Sequence, residues 1–229
     1  MGLGLKDAWY LITGIALLVM AILAGFAFGY AYNEIFHVES ASLTFSKLNS
    51  KQSLFMFSIV AWIAIIALDI LVSIGLYQIY KGTNQRVAAI ASGLRLLYTV
   101  ILCIAVYVLS QPIIVNMDAA ETLTMFNSFL SIWNGGLIIF GAHLVLLYVN
   151  CNKSNFTPKV VSVLLLIGGL SYIIVHGLQI SLGNAIATAA ESLLIIPMAL
   201  SELVFAIWLI YRYVSLKKSN EHKSLEINT

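Results

Sequence analysis

Long apolar runs, separated by short polar connections, dominate the chain from end to end. A helix that crosses a bilayer needs about 20 mostly apolar residues, and each run meets that length. Barrel strands would instead alternate over about ten residues, and backbone groups in lipid must bond within their own segment. The pattern predicts an all-α integral membrane six-helix bundle, with spans at residues 8–32, 53–80, 87–110, 126–149, 160–180 and 191–213.

The chain divides into one six-span transmembrane domain, residues 1–213, and a polar tail, residues 214–229, for which we expect no regular structure. The first apolar run is longer than the about 7–15 residues of a signal peptide, so we expect it to stay as the first span. Small residues inside spans let helices approach closely. We expect such contacts at glycines of the first, fourth and fifth spans: Gly25, Gly29, Gly135–Gly136 and Gly168–Gly169.

The composition shows why these runs do not form a soluble core. Hydrophobic residues make up 61% of the 229 residues and charged residues 10%, against about 45–50% and 25% in soluble domains. The surplus apolar surface must therefore face lipid. Without a basic stripe interleaved with aromatic residues, we expect no nucleic acid partner. The two cysteines, Cys103 and Cys151, are isolated and indicate neither a disulfide framework nor a metal site.

Basic residues in the short connections indicate how the bundle is oriented. With six spans, both termini lie on one side of the membrane. That side holds nine of the 12 Lys and Arg residues, whereas the other side holds two, Lys47 and Lys51. The excess predicts that both termini are cytoplasmic. The remaining basic residue, Arg95, lies inside the third span.

Four ionisable residues lie inside the predicted spans at a similar depth. Charges at mid-membrane cost at least about 2.5–3.5 kcal/mol each and usually face the interior of a bundle. From the rise of about 1.5 Å per residue, Asp69, Arg95, His143 and Glu202 fall in one slab of the cytoplasmic half. We therefore predict a polar cluster of these four side chains, contributed by the second, third, fourth and sixth spans.

Several interpretations of this cluster remain open. In the first, Arg95 forms an ion pair with Asp69 or Glu202, and the network only fixes the register of the helices. In the second, the cluster binds or transports a small ligand, an ion, a lipid or a proton, because ionisable groups at this depth are functional by default. An intramembrane hydrolase is a third candidate. A zinc site, however, needs about three His or carboxylate ligands, and the spans hold two His residues and no His-Glu-x-x-His motif.

A second polar layer is expected nearer the outer face. His176 lies toward the outer end of the fifth span, and Tyr172 lies one turn earlier on the same helix face. Asn134 occupies the outer half of the fourth span. From these residue types and spacings we predict no catalytic residue, no metal ligand and no cofactor site.

Four stretches carry a resemblance to a known family. They are Ser40-Ala41-Ser42-Leu43 through Leu54-Phe55; Arg95-Leu96-Leu97-Tyr98; Gly141-Ala142-His143-Leu144 through Leu147-Tyr148, with Pro158 and Gly168-Gly169-Leu170-Ser171-Tyr172; and Ser201-Glu202-Leu203 through Ala206-Ile207-Trp208-Leu209. With these motifs the chain, over about residues 8–213, resembles the bacterial multi-pass membrane proteins grouped as domain of unknown function 4386.

The resemblance implies a six-span bundle in the bacterial inner (cell) membrane, with Arg95, His143 and Glu202 as features of the family. Ser201 stands where the family usually has Gly, which affects local packing. The family implies no activity. We expect a protein that binds or transports a small ligand at the cluster rather than an enzyme; a non-catalytic accessory or assembly subunit is the alternative. The expected partners are membrane lipids and a small ligand or proton, and the oligomeric state stays open.

Overall fold

The computed structural model describes the backbone of residues 5–181 and 184–227 and the side chains of residues 7–181 and 189–220. All regular structure in these residues is helical. The elements are a π-helical segment, Gly25–Tyr32, and the α-helices α1 (Leu5–Ala24), α2 (Asn33–Ile35), α3 (Ala41–Ser50), α4 (Gln52–Tyr80), α5 (Gln85–Ile114), α6 (Ala119–Lys153), α7 (Lys159–Ser181) and α8 (Asn184–Ile227).

Six helical stretches of the described residues are long and apolar enough to cross a membrane. α1, the π-helical segment and α2 together form the first span, Asp7–Ile35, and helices α4 to α8 supply the other five. The predicted all-α six-span bundle is thereby confirmed. Six crossings place the start of α1 and the end of α8 on one face, which we call the terminal face, and α3 on the opposite face. Which side of the membrane the terminal face meets stays a prediction.

Helices α6 and α8 extend beyond the predicted spans. α6 begins at Ala119 because Asp118 caps it: Asp118 Oδ1 accepts a hydrogen bond from the Glu121 backbone N–H, and the Glu121 carboxylate accepts one from the Asp118 N–H. α8 is helical as far as Ile227, so the polar tail does have regular structure. Its Lys, Glu and Leu residues are good helix formers. Residues 228 and 229 lie outside the described residues.

The six spans form a closed ring. Each span packs against the spans before and after it in the chain, and α8 packs against α1. Helix α3 lies against α6 and α4 at the opposite face. Every span therefore presents one side to a common central axis, where polar side chains from different helices are able to meet.

Glycines allow the closest helix contacts in this ring. A Cβ added at Gly169 in α7 would lie 2.7 Å from the carbonyl oxygen of Gly141 in α6, and one at Gly14 in α1 would lie 2.9 Å from that of Ala206 in α8. A Cβ at Gly136 would meet α5 at 3.0 Å. Small residues thus set the spacing between neighbouring spans.

The predicted glycine contacts are correct in part. Cβ atoms at Gly168 and Gly169 would meet neighbouring helices at 2.3 and 2.7 Å. The prediction was wrong for Gly25, Gly29 and Gly135, where a Cβ would meet nothing within 4 Å. A glycine inside an apolar run does not reveal which way it faces, and Gly25 and Gly29 lie exposed on the π-helical segment.

Aromatic side chains pack together across the terminal face of the helix bundle. The ring of Phe156, in the α6–α7 connection, lies 5.5 Å from that of Tyr80, 6.1 Å from that of Tyr10 and 6.4 Å from that of Trp208. The Tyr80 hydroxyl lies 3.0 Å from Thr157 Oγ1, within hydrogen-bond distance. Because Tyr10, Tyr80 and Trp208 are buried, this aromatic plug separates the interior of the bundle from the terminal face.

The opposite face is covered by α3 and a second group of aromatic residues. Ser40 caps α3, and its Oγ accepts a hydrogen bond from the Leu43 N–H at 3.2 Å. The Tyr32 hydroxyl donates to the Phe126 carbonyl at 3.1 Å, and the Tyr32 ring lies 5.4 Å from that of Phe129. These contacts fix the end of the first span against α6.

The π-helical segment Gly25–Tyr32 borders the interior of the bundle. A π-helix bonds residues five apart instead of four, and such segments occur frequently at functional sites. Ala24, directly before the segment, and Phe28, within it, line two cavities inside the ring.

Candidate functional site

Asp69 and Arg95 form a fully buried ion pair on α4 and α5. Arg95 Nε donates to Asp69 Oδ1 at 2.6 Å, and Nη2 lies 2.6 Å from the same oxygen. Asp69 Oδ2 lies 2.8 Å from Thr99 Oγ1, and this hydroxyl is also 2.8 Å from the Arg95 carbonyl oxygen. The two charged side chains are 0% and 1% exposed. A pair so far from water needs these extra hydrogen bonds, because desolvation otherwise outweighs the Coulombic attraction.

His143 connects α6 to the same guanidinium. Its Nδ1 lies 2.8 Å from the carbonyl oxygen of Ala91, which only accepts hydrogen bonds, so Nδ1 carries the proton. Nε2 then accepts from Arg95 Nη1, 3.3 Å away. The ring of Phe140 lies one turn earlier on α6, with its centroid 5.2 Å from Arg95 Cζ, in a cation–π contact.

Glu202, on α8, is the accessible member of this group. Its Oε1 accepts a hydrogen bond from Arg95 Nη1 at 3.1 Å. Its side chain is 25% exposed, against 1% for Arg95. Its Oε2 has no hydrogen-bond partner within the described residues. The structure thus brings together the four residues that the sequence placed at one depth, and of these Glu202 has room for another group.

The charged cluster, Asp69, Arg95, His143 and Glu202, contains more acid than base. When ionised, the two carboxylates carry one negative charge more than the single guanidinium balances, and His143 in this tautomer adds none. Asp69 is covered by Arg95 and Thr99. The uncompensated charge therefore lies at Glu202.

A cavity of about 320 Å³, which we call the cluster cavity, extends from these charges toward the opposite face. Residues of all six spans line it. Asp69 on α4 and Arg95 on α5 are the lining residues of their helices that lie nearest the terminal face, and Glu202 lies at the same end on α8. The rest of the lining is apolar or aromatic.

The cluster cavity reaches the protein surface between α1 and α8. Among its described lining residues, only Ala21 of α1 and Ala199 of α8 are exposed. Nearer the terminal face the same two helices are in close contact, with Gly14 against Ala206. Ala21 is the middle residue of the first span, Asp7–Ile35, so the opening faces lipid at about mid-membrane.

A second cavity, of about 430 Å³, lies between the cluster cavity and the opposite face. The outer layer predicted from the sequence, Asn134, Tyr172 and His176, lines it together with Gln179 and Glu191. His176 Nδ1 lies 2.8 Å from Gln179 Oε1. His176 Nε2 is buried and has no hydrogen-bond partner within the described part of the chain.

Five aromatic residues form a continuous aromatic wall of the cluster cavity. The rings of Trp62 and Trp133 lie 5.2 Å apart, and Trp133 Nε1 donates to the Tyr98 hydroxyl at 3.2 Å. Phe140 lies 4.9 Å from Tyr98 and 5.2 Å from Tyr172, centroid to centroid. Trp133 and Tyr172 also line the second cavity, so the two cavities share a wall.

Comparison with known proteins confirms the resemblance seen in the sequence. The family described as Domain of unknown function (DUF4386) matches residues 12–212. The chain belongs to this family. An uncharacterized protein of Archaeoglobus fulgidus is 30% identical to it over 165 residues, which cover 72% of this chain and 88% of that protein. No solved structure matches the chain.

The family match includes every residue of the charged cluster and of both cavities in this DUF4386 protein. The site therefore lies inside the family domain and not in the tail. Because the similar protein is archaeal, the likeness extends beyond the bacterial proteins that the sequence resembles.

Sequence reasoning identified Tyr172 but not the other four residues of the aromatic wall, nor Gln179 or Glu191, in this DUF4386 protein. Aromatic residues are common at membrane interfaces and in packing, so their spacing did not single them out. Gln179 follows His176 by three residues, which places both on one helix face, and this signal could have found it. Glu191 stands at the start of the predicted sixth span, where a polar residue is ordinary.

The described residues contain no group of three His, Cys, Asp or Glu side chains placed to hold a metal ion. At the charged cluster, the guanidinium of Arg95 occupies the centre between Asp69, His143 and Glu202. The cluster is therefore built for ion pairing and hydrogen bonding around Arg95.

Proposed function

We propose that this multi-pass membrane protein binds a small ligand in the cluster cavity, with Glu202 as the group that meets it. The observation that carries the proposal is the unequal exposure of the cluster, 25% for Glu202 and 1% for Arg95. Glu202 Oε2 lacks a partner within the described residues, and the cavity adjoins it. An accessible carboxylate inside a largely apolar cavity is the kind of polar group that orients a bound ligand.

The other cluster residues support this role by holding Glu202 in place. Arg95 is bonded to Asp69 and His143, and its Nη1 donates to Glu202. Because the guanidinium is fixed from three sides, the Glu202 carboxylate is oriented before a ligand arrives. Such preorganisation lowers the entropic cost of binding. In this proposal Asp69, Arg95 and His143 are the structural part of the cluster, and Glu202 is the part that binds the ligand.

The dimensions of the cluster cavity favour binding over passage across the membrane. Its volume of about 320 Å³ lies at the lower end of the about 300–1,000 Å³ of ligand sites. The aromatic plug of Tyr10, Tyr80, Phe156 and Trp208 separates the cluster cavity from the terminal face. Its exposed lining residues, Ala21 and Ala199, lie at the side of the bundle.

The proposal includes a location: the cell membrane, with both termini in the cytoplasm. It is supported by the nine Lys and Arg residues on the terminal side and the two on the other. Alkaline phosphatase and green fluorescent protein fused to the C-terminus test it. We expect the green fluorescent protein fusion to be fluorescent and the phosphatase fusion to be inactive. An active phosphatase would show that the C-terminus lies outside the cytoplasm.

Native mass spectrometry of the full chain in mild detergent tests the binding proposal. We expect a bound small molecule on the wild type and its loss from Glu202→Gln. The matched control is Glu39→Gln, because Glu39 is an exposed carboxylate in the α2–α3 connection and its variant should keep the bound mass. Equal bound mass in the wild type and Glu202→Gln contradicts the proposal and favours the accessory-subunit alternative, in which the cluster is purely structural.

A further inference from the structure

We infer that the ligand of the cluster cavity carries an ammonium group joined to an apolar portion, an inference that rests on the proposed binding function. Three features of the cavity point to this class of molecule. They are the distribution of charge at Glu202, the aromatic wall, and an unpaired indole N–H.

The charge distribution favours a cation over an anion. Most of the guanidinium of Arg95 is engaged: Nε donates to Asp69, Nη1 faces Glu202 and His143, and Phe140 covers Cζ. Nη2 lies 2.6 Å from Asp69 Oδ1 but has no hydrogen-bond partner within the described residues. An anionic ligand at Arg95 would lie beside two carboxylates, Asp69 and Glu202, which already pair with its single positive charge. A cation at Glu202 Oε2 instead balances the excess of carboxylate charge, and the attraction is strong where water is excluded.

The aromatic wall favours an organic ammonium group over a metal cation. A cation within about 6 Å of a ring centroid is attracted to the ring face, and quaternary ammonium groups are commonly held by several aromatic rings. Tyr98, Trp133 and Tyr172 line the same cavity as Glu202. A small inorganic cation such as Ca²⁺ would need about six or more oxygen ligands, which this largely apolar lining does not offer.

Trp62 supplies an independent sign of an unfilled polar contact. Its side chain is 2% exposed and lines the cluster cavity, and its Nε1 has no hydrogen-bond partner within the described residues. A buried indole N–H usually finds an acceptor. A hydroxyl or ester oxygen of the ligand would provide one, so an ammonium alcohol or its ester carries one group for Glu202 and another for Trp62.

Two sources could supply this chemistry. The opening at Ala21 and Ala199 faces lipid, and its small side chains leave space for an alkyl chain. The second cavity lies on the side of the opposite face and is lined by the polar residues His176 and Glu191. It is the polar side from which a water-borne ligand would come. Choline represents the water-borne form of the ligand and decyltrimethylammonium the lipid-borne form, because both carry a trimethylammonium group.

Calorimetric titration of the full chain in dodecyl maltoside tests the inference. Each ammonium probe is compared with a neutral molecule of the same shape: 3,3-dimethylbutanol for choline and 2,2-dimethyldodecane for decyltrimethylammonium. We expect at least one ammonium probe to bind about tenfold or more tightly than its neutral counterpart. Glu202→Gln should remove most of this preference, leaving the share that the aromatic wall supplies. Glu202→Asp should keep a larger part of it, and Glu39→Gln should keep all of it.

The outcomes separate the ligand class from the binding function. Preference for choline indicates a water-borne ligand, and preference for decyltrimethylammonium indicates a ligand from the bilayer; either supports the inference. Failure of both probes, or equal affinity for a probe and its neutral counterpart, overturns it. In that case a bound mass that still depends on Glu202 leaves the binding function standing.

If Glu202→Gln fails to fold, Tyr172→Leu serves instead. We expect this variant to lose ammonium affinity several-fold. An unchanged preference for the ammonium probe would contradict the inference.

Discussion

Arg95 Nη1 lies 3.1 Å from Glu202 Oε1, and this bond crosses the centre of the bundle. The helices that carry the two residues, α5 and α8, are not neighbours in the ring. The same guanidinium also bonds Asp69 on α4 and His143 on α6. The Arg95 side chain therefore connects four of the six spans. Among its partners, Glu202 is the partly exposed carboxylate.

Asp69→Asn should destabilise the protein strongly. The change removes the charge that faces Arg95 in the closed part of the cluster, and breaking one side of a buried ion pair costs about 3–5 kcal/mol. We expect the lower end of that range, because Glu202 still faces the guanidinium. Chemical unfolding in detergent micelles measures the free energy of unfolding.

The matched control for Asp69→Asn is Thr99→Val. It removes a single hydrogen bond to the same carboxylate, and the loss should be about 1–2 kcal/mol. Equal losses in the two variants would show that the charge of Asp69 does not matter to the fold.

Gly169→Ala should destabilise the α6–α7 contact. The new methyl group would lie 2.7 Å from the carbonyl oxygen of Gly141, so the helices must move apart. Overpacking of this kind costs about 1–3 kcal/mol. Gly135→Ala is the control, because a Cβ there meets nothing within 4 Å, and its thermal unfolding should match or exceed that of the wild type. A lower unfolding temperature for Gly135→Ala than for Gly169→Ala would contradict the helix packing.

Ala21→Phe should block the lateral opening of the cluster cavity. Ala21 lines the cavity and is exposed beside Ala199 on the facing helix, so a large ring there fills the gap between α1 and α8. Ile22→Phe is the control, since Ile22 is 73% exposed and does not line the cavity. Native mass spectrometry should show reduced bound mass for Ala21→Phe only. Reduced bound mass in both variants would point to a general disturbance of the first span.

Lys51 should titrate above the ordinary range of a lysine. Lys51 Nζ donates a hydrogen bond to the Glu34 carboxylate, and this bond raises the pKa of Lys51. A raised pKa in the folded state contributes stability that is present below the unfolded pKa and is lost as the pH rises through the folded value. The contribution is small because both side chains are partly exposed. It should disappear in strongly alkaline solution.

An NMR titration of the Lys51 side chain measures this effect. The variant Glu34→Gln removes the charged acceptor, so its Lys51 pKa should fall toward the ordinary value. An identical titration curve in the wild type and the variant would show that the pair does not form in solution.

Depth along the helices made the charged cluster predictable. Asp69, Arg95, His143 and Glu202 lie at similar distances from one face, and charges in membrane spans face the bundle interior. Depth does not give the rotation of a helix about its own axis. For that reason the sequence did not reveal that the Asp69 side chain is 0% exposed whereas that of Glu202, which lines the same cavity, is 25% exposed.

Other features depend on contacts between helices and had no local signal. Gly141 and Gly25 both stand in apolar runs, yet Gly141 meets α7 and Gly25 meets nothing within 4 Å. The π-helical segment Gly25–Tyr32 holds no proline that would mark an irregular helix. Trp62 and Trp133 come together from different spans, and their aromatic wall exists only once the ring of helices is closed.

The accessibility of Glu202 within an otherwise enclosed cluster is tested most directly by labelling with a hydrophobic carbodiimide, which modifies carboxyl groups that it reaches from the membrane. The protein is labelled in micelles, digested, and each carboxyl group is quantified by mass spectrometry. We predict modification of Glu202 and protection of Asp69, and slower modification of Glu202 in Ala21→Phe. Equal modification of Asp69 and Glu202, or protection of both, would contradict the account.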